Sequence, residues 1–234
     1  MNDKVKRFYK RVETVRHKNG YGVELDGRGV RSPGRNMLIL PNQKLVRQLA
    51  KEWRSQEEFV DLASMPIMRF AGRVHDHILP EMQSARTEVL KFSHSDLLCY
   101  RAQGPESLVE RQEKLWDPVL ERFAREDKIC FKISSGILWV DQEVRDMERF
   151  ASLLEPFDGY ALGALLEVTV FSGSAILALA LGKGWLAPID VWELCHIDED
   201  FQAEQWGKDE DAEQDRKVRY GEFCAAVLAL NQTP

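Results

Sequence analysis

One stretch of the sequence, residues 160–181, constrains the fold more than any other, because Glu167 is its only charged residue. At about 1.5 Å per residue, a helix of this length could cross a bilayer. On a helix, however, Glu167 shares a stripe with the small residues Gly163, Ser174 and Ala178. A lone carboxylate at mid-bilayer costs several kcal/mol, and the flanking sequence offers no second apolar span. We therefore predict one continuous helix in the core of a globular protein.

The first forty residues carry signals for β-strands, and the rest of the chain is dominated by helical periodicity. Asn19-Gly20 and Asp26-Gly27 are typical of hairpin turns, and apolar residues alternate with others between them. From Asn42, a candidate N-cap, apolar residues recur with the period of a helix. The pattern predicts an α+β fold in which a small N-terminal antiparallel β domain (residues 1–60) precedes a larger, mainly α-helical domain (61–234). We expect the boundary between residues 58 and 80.

Two local patterns give further predictions for the helical part. Ile129, Phe131 and Ile133 alternate with polar residues, and an apolar run follows Gly136, which indicates a hairpin or two late strands. Asp158 precedes the long apolar stretch and is a candidate N-cap for it.

Charge and composition narrow the classes of function. The net charge of −6 argues against general nucleic-acid binding, which depends on Lys and Arg neutralising phosphates. No glycine-rich nucleotide-binding motif is present, so we expect neither a cofactor nor a small-molecule substrate. The four cysteines are far apart and no secretory signal precedes them, which indicates reduced thiols. We expect a location in a bacterial cytoplasm, or in the mitochondrial matrix for a processed eukaryotic form.

An acidic belt near the C-terminus is the strongest candidate for function. It holds nine carboxylates within eighteen residues: Asp198, Glu199, Asp200, Glu204, Asp209, Glu210, Asp211, Glu213 and Asp215. Such a run can be a solvated helix face, a metal site or an electrostatic docking surface. Phe201 and Trp206 favour docking, because aromatic anchors rimmed by charge are typical of protein interfaces. The predicted partner-binding residues are Glu167, Asp198, Glu199, Phe201, Glu204, Trp206, Asp209 and Glu210.

Alternatives remain for the other reactive side chains. Glu167 is either half of a buried ion pair or a partner contact, and its spacing does not separate the two. The carboxylates together with His196 could serve a metal-assisted hydrolase. His75 and His77, in contrast, point to different sides of a helix, so one helix cannot supply both as metal ligands.

Several motifs, in order along almost the whole chain, resemble a known family. They are residues 20–33, 38–41, Glu52-Trp53 with Gln56, Met65-Pro66, residues 96–102, Arg111-Gln112 with Trp116-Asp117-Pro118, Gly173-Ser174 with residues 177–180, and Trp206-Gly207 with Asp209. Together they are similar to the assembly chaperones of the F-type ATP synthase that act on its α subunit. Within these motifs we expect structural roles for Trp53, Trp116, Gly173 and Ser174.

The resemblance implies a non-enzymatic protein with a β-rich N-terminus and a helical C-terminus. It implies binding to the free α subunit, protection of that subunit from aggregation, and displacement when the β subunit takes its place in the α/β hexamer. The competing hypotheses are the metal-assisted hydrolase and a membrane-attached assembly factor.

Overall fold

A computed structural model describes residues 5–207 and 209–230 of the chain. The strands are β1 (Val5–Lys6), β2 (Val12–His17), β3 (Gly20–Leu25), β4 (Arg28–Gly29), β5 (Phe59–Val60), β6 (Tyr100–Arg101) and β7 (Ser134–Ser135). The helices are α1 (Gln43–Ser55), α2 (Pro66–Arg73), α3 (Met82–His94), α4 (Glu106–Glu126), α5 (Val144–Leu154), α6 (Gly159–Ser172), α7 (Ala175–Gly182), α8 (Pro188–Leu194), α9 (Ile197–Trp206) and α10 (Glu210–Leu230). Antiparallel N-terminal strands followed by helices confirm the predicted α+β class. The division at residues 60 and 61 stays a prediction.

The N-terminal strands form a meander whose turns match the sequence signals to within one residue. β2, β3 and β4 pair in that order, and Leu25 lies opposite Arg28 across the Asp26-Gly27 turn. Both turn residues have positive φ, 51° and 81°, as a type I′ turn requires. The first turn is formed by residues 18 and 19 rather than by Asn19-Gly20, since His17 pairs with Gly20.

Polar side chains cap the first two helices. Asn42 caps α1 as predicted, because its side chain accepts a hydrogen bond from Leu45 N. The Glu52 carboxylate accepts from Ile67 N and Met68 N at 2.7 and 2.9 Å and so caps the start of α2. Burial raises the pKa of Glu52 to about 7.

The Asp76 carboxylate links the meander to the helical part. Asp76 lies in the π-helical turn Val74–Ile78 that follows α2, and its carboxylate accepts hydrogen bonds from Ser32 Oγ, Gly34 N and Asn36 Nδ2. These three bonds hold the turn before the last extended segment of the meander against the helix. They also lower the pKa of Asp76, because they favour its charged form.

The apolar stretch 160–181 is two helices, so the prediction of one continuous helix is wrong. Gly173 ends α6 in the left-handed conformation, with φ of 67°, and Ser174 then caps α7 by accepting from Leu177 N at 2.9 Å. Asp158 does occupy the N-cap position of α6, but its side chain makes no capping hydrogen bond. Within the described ranges, no helix is long and apolar enough to cross a membrane.

Helix α6 is central, since it packs against α3, α7 and α10. Its small residues permit this close packing, as the sequence suggested. A Cβ added to Gly163 would lie 2.7 Å from Val74 Cγ2, so a larger residue would push the π-helical turn away. Almost all residues of α7 are fully buried, which explains why apolar residues occur on every face of this helix.

The structure has neither the hairpin nor the two late strands predicted for residues 129–140, and in this described region the strand is Ser134–Ser135. Ser134–Ser135 instead pairs in parallel with Tyr100–Arg101. Ile129 is buried in the core and Phe131 packs between Phe123 and Phe150, whereas Ile133 is exposed, so the first two apolar residues of the pattern reflect burial rather than strand pairing.

Candidate functional site

Helices α9 and α10 form a hairpin that carries the acidic belt. Gly207, with φ of 91°, turns the chain after Trp206. Asp209 then begins α10, since its carboxylate accepts from Asp211 N at 2.9 Å and Ala212 N at 3.3 Å. Between the two helices lies a groove of about 860 Å³, lined by apolar side chains such as Ala203 and Val218 and by charged ones.

Two carboxylates of α9 bind to α4. Glu204 accepts from both terminal nitrogens of Arg111, at 2.9 and 2.7 Å, which lowers the pKa of Glu204. Asp198 accepts from Gln112 Nε2 at 2.6 Å, and Gln112 Oε1 in turn accepts from Ala102 N at 2.8 Å. Gln112 is buried and was not predicted as a site residue. These contacts fix the orientation of α9.

Two other carboxylates of α9 face α10. Asp200 forms an ion pair with Arg216, and Glu199 lies 3.5 Å from Arg219 and 3.8 Å from His196 Nε2. The belt is therefore partly neutralised within the chain, which its composition did not indicate. Glu210, Asp211 and Asp215 are exposed, and among the described residues they make no ion pair.

The two aromatic residues of the predicted site have different environments. Trp206 is 80% exposed at the end of α9 and lines the groove. Phe201 is buried, with the Arg111 guanidinium 5.5 Å from its ring centre. Trp206 can therefore contact a partner directly, whereas Phe201 anchors α9 to the core.

Glu167 lies away from the groove in a charged network between three helices. Its carboxylate is half-buried and pairs with Arg73 at 2.5 Å. Glu222 of α10 pairs with Arg69 beside it at 2.7 Å. Burial raises the pKa of Glu167 and Arg73 opposes that effect. The geometry is that of a partly exposed ion pair joining α2 to α6, and a partner contact by Glu167 stays a prediction.

The four residues expected to be structural all lie in the core or at a helix junction. Trp53 packs edge-on against Tyr9, whose hydroxyl donates to Trp53 O at 2.6 Å. Trp116 is 1% exposed and its Nε1 donates to Leu194 O at 2.9 Å. Gly173 and Ser174 form the break between α6 and α7.

Asp96 is a buried carboxylate that the sequence analysis did not single out. It is fully buried and accepts from Ser174 Oγ at 2.6 Å, Ile176 N at 3.0 Å and Leu98 N at 3.1 Å. It thus supports the cap of α7 and the 3-10 turn before β6. The Asx-type spacing to Leu98 is a local signal that could have indicated its role.

The geometry gives no support to hydrolase chemistry. His196 is buried, and its Nδ1 lies 2.6 Å from Trp192 O, which fixes the ring as a core side chain. Burial raises the pKa of Cys195 to about 12, so its thiol stays protonated near neutral pH. In the part of the chain that the structure describes, no three His, Cys, Asp or Glu side chains gather as a metal site would need.

Comparison with known proteins identifies the family. The model of the ATP12 chaperone protein family matches residues 6–124, about half of the chain. The protein atp12, mitochondrial, of Schizosaccharomyces pombe is 25% identical over 223 aligned residues, which cover 89% of this chain and 76% of that protein.

Solved structures agree over nearly the full length. The Atu1473 protein of Agrobacterium tumefaciens is 40% identical, with a TM-score of 0.90 over 97% of this chain and 85% of that one. Atp12 from Paracoccus denitrificans is 31% identical, with a TM-score of 0.87 over 98% and 99% of the two chains. The chain therefore belongs to the ATP12 family, whose members are chaperones of ATP synthase assembly.

Proposed function

We propose that this protein binds the free α subunit of the F-type ATP synthase, prevents its aggregation and releases it to the α/β hexamer. The observation that supports the proposal most is the exposure of Trp206. Its side chain is 80% exposed at the end of an acid-rimmed groove, and the chain belongs to a family of chaperones. Tryptophan is enriched among the residues that contribute most to binding at protein interfaces.

The charges of the α9–α10 hairpin suit a client that must be captured and later released. The exposed carboxylates at the start of α10 attract a basic surface from a distance and raise the rate of association. Asp200, which lines the groove, is paired with Arg216, so its charge is compensated within the chain. A polar rim around one aromatic anchor gives a contact that the β subunit can displace.

We propose the same compartment as the client, a bacterial cytoplasm or, for a processed eukaryotic form, the mitochondrial matrix. Relatives from a mitochondrion and from bacteria support this range.

Dilution of denatured α subunit into buffer tests the proposal. We expect equimolar protein to suppress light scattering by the α subunit and to have a smaller effect on isolated β subunit. Unchanged scattering of the α subunit would contradict the proposal, and preferential protection of the β subunit would show that the client is a different subunit.

Charge reversal at Glu204 tests whether the belt steers the client. We expect Glu204→Lys to slow association with the α subunit about three- to tenfold at low salt and to weaken its salt dependence, because steering depends on net surface charge. Stopped-flow fluorescence over a series of salt concentrations measures both. Glu210→Lys, at an exposed carboxylate without an ion pair among the described residues, should act in the same direction.

A charge swap separates steering from loss of the ion pair. The Arg111→Glu/Glu204→Arg variant restores an ion pair and leaves the net charge unchanged. We expect it to associate at nearly the wild-type rate. If Glu204→Lys and Glu210→Lys change only the free energy of unfolding, the belt is structural.

A further inference from the structure

The loop between β7 and α5 exposes three consecutive large apolar side chains. Ile137, Leu138 and Trp139 are 98%, 71% and 62% exposed. Soluble monomers seldom expose contiguous apolar surface of this kind, and where they do it usually marks an interaction site. None of the motifs that identify the family, and none of the predicted site residues, lies in this loop.

Hydrogen bonds hold the loop in this outward conformation. Ser134 Oγ donates to Leu138 O at 2.7 Å, and Trp139 Nε1 donates to Asp141 Oδ1 at 2.6 Å. At the base, the Gln142 amide accepts from Lys132 N and donates to Lys132 O, at 2.9 and 3.0 Å, in the manner of a paired strand. The apolar tip is therefore preorganised, so little conformational entropy is lost when a partner covers it.

The residues that lead into the tip are already packed against the rest of the chain. Phe131, just before the loop, packs edge-on against Phe123 and Phe150. Gly136, at the turn, lies directly against the Gln103 side chain, and its N–H donates to Arg101 O at 2.8 Å. In this conformation the three side chains of the tip stay exposed.

Three hydrogen-bonded steps connect the loop to the α9–α10 hairpin. Gly136 N donates to Arg101 O of strand β6, and Ala102 N, just after that strand, donates to Gln112 Oε1. Gln112 Nε2 then donates to Asp198 at the start of α9. The base of the loop is therefore joined through β6 and α4 to the start of α9.

We propose that the tip formed by Ile137, Leu138 and Trp139 is a second contact for the client subunit, and that it covers apolar surface which the client buries in the assembled enzyme. This inference rests on the proposed function, because it assumes that an unassembled subunit is the partner. The hairpin supplies charge and one aromatic anchor, while the tip supplies the apolar contact on which a holding chaperone depends. The chain thereby binds its client at two places, a charged one at the hairpin and an apolar one at the tip.

The Ile137→Ser/Leu138→Ser/Trp139→Ser variant tests the proposal against a matched control. Val5→Ser/Leu62→Ser/Val170→Ser removes three apolar side chains that are also largely exposed, at 58%, 48% and 60%, but lie outside the loop. We expect the loop variant to bind α subunit at least about tenfold more weakly at low and at high salt, since the contact is apolar. The control should bind within about twofold of wild type. Equal binding by wild type and the loop variant would overturn the proposal.

Photo-crosslinking identifies what covers the tip. A photoreactive phenylalanine at position 138 should crosslink to the α subunit in the purified complex, and the same group at position 170 should not. A complex that forms without crosslinking at position 138, or a crosslink to a second copy of this chain, would overturn the proposal. If wild-type protein binds only isolated β subunit and position 138 crosslinks to it, the proposed client is wrong but the tip is still a client contact.

Discussion

Replacing Asp96 with alanine is expected to lower the free energy of unfolding by about 3–5 kcal/mol, measured by urea denaturation. The carboxylate is fully buried and accepts hydrogen bonds from Ser174 Oγ, Ile176 N and Leu98 N. Alanine leaves these donors buried without an acceptor, and each such group costs about 1–3 kcal/mol. It also removes the support of the Ser174 cap at the junction between α6 and α7.

Asp158→Ala is the matched control for this loss. Asp158 occupies the N-cap position of α6, but it is exposed and its side chain makes no capping hydrogen bond. We expect its free energy of unfolding to stay within about 0.5 kcal/mol of wild type. A loss below 1 kcal/mol in Asp96→Ala would show that the α6–α7 junction does not depend on this carboxylate.

The same residue predicts a pH dependence. Burial raises the pKa of Asp96 to about 6, above its usual 3.8, because desolvation outweighs the hydrogen bonds from its neighbours. The folded chain then binds this proton more tightly than the unfolded chain does. The resulting stabilisation is present below about pH 4 and is lost as the pH rises through about 6. Asp96→Asn removes the titration, so the difference in unfolding free energy between wild type and this variant should fall by up to about 3 kcal/mol over that range.

Local patterns in the sequence predicted the start of the first helix and the meander, because both depend on neighbouring residues. The Asn42 side chain binds backbone three positions away, and the Asp26-Gly27 turn follows from the two central residues, which adopt positive φ. The break at Gly173-Ser174 also had a local signal, a glycine followed by a capping residue. Apolar residues on both sides concealed it, since they made the two helices look like one.

The density of acidic residues located the candidate site, but composition does not show which of these carboxylates form ion pairs. Arg111 and Glu204 are 93 positions apart, and Asp96 and Ser174 are 78 apart. Hydrophobic periodicity says which face of a helix is buried and does not say which helices meet. Only the tertiary structure therefore shows that arginines pair with α9 carboxylates, that Phe201 is buried and that Arg73 is the partner of Glu167.

Trp206→Ala is expected to weaken binding of the isolated α subunit at least about 30-fold, which corresponds to about 2 kcal/mol. The side chain is 80% exposed and lines the groove between α9 and α10. A tryptophan that is exposed in the free protein and buried in a complex combines a large apolar area with few rotatable bonds, which makes it a frequent hot spot. Titration of labelled α subunit, followed by fluorescence anisotropy, measures the loss.

Two controls distinguish a client contact by Trp206 from a structural role of this residue. They are the free energy of unfolding of the variant and a substitution at a neighbouring position. Because Trp206 is mostly exposed, Trp206→Ala should change the free energy of unfolding by no more than about 0.5 kcal/mol. Trp206→Phe should recover much of the affinity, and Gln205→Ala, at the adjacent exposed position, should bind like wild type. Wild-type affinity in Trp206→Ala would remove the anchor from the proposed site. It would leave the apolar tip at Ile137, Leu138 and Trp139 as the principal contact, because the groove alone offers the client charge and small side chains.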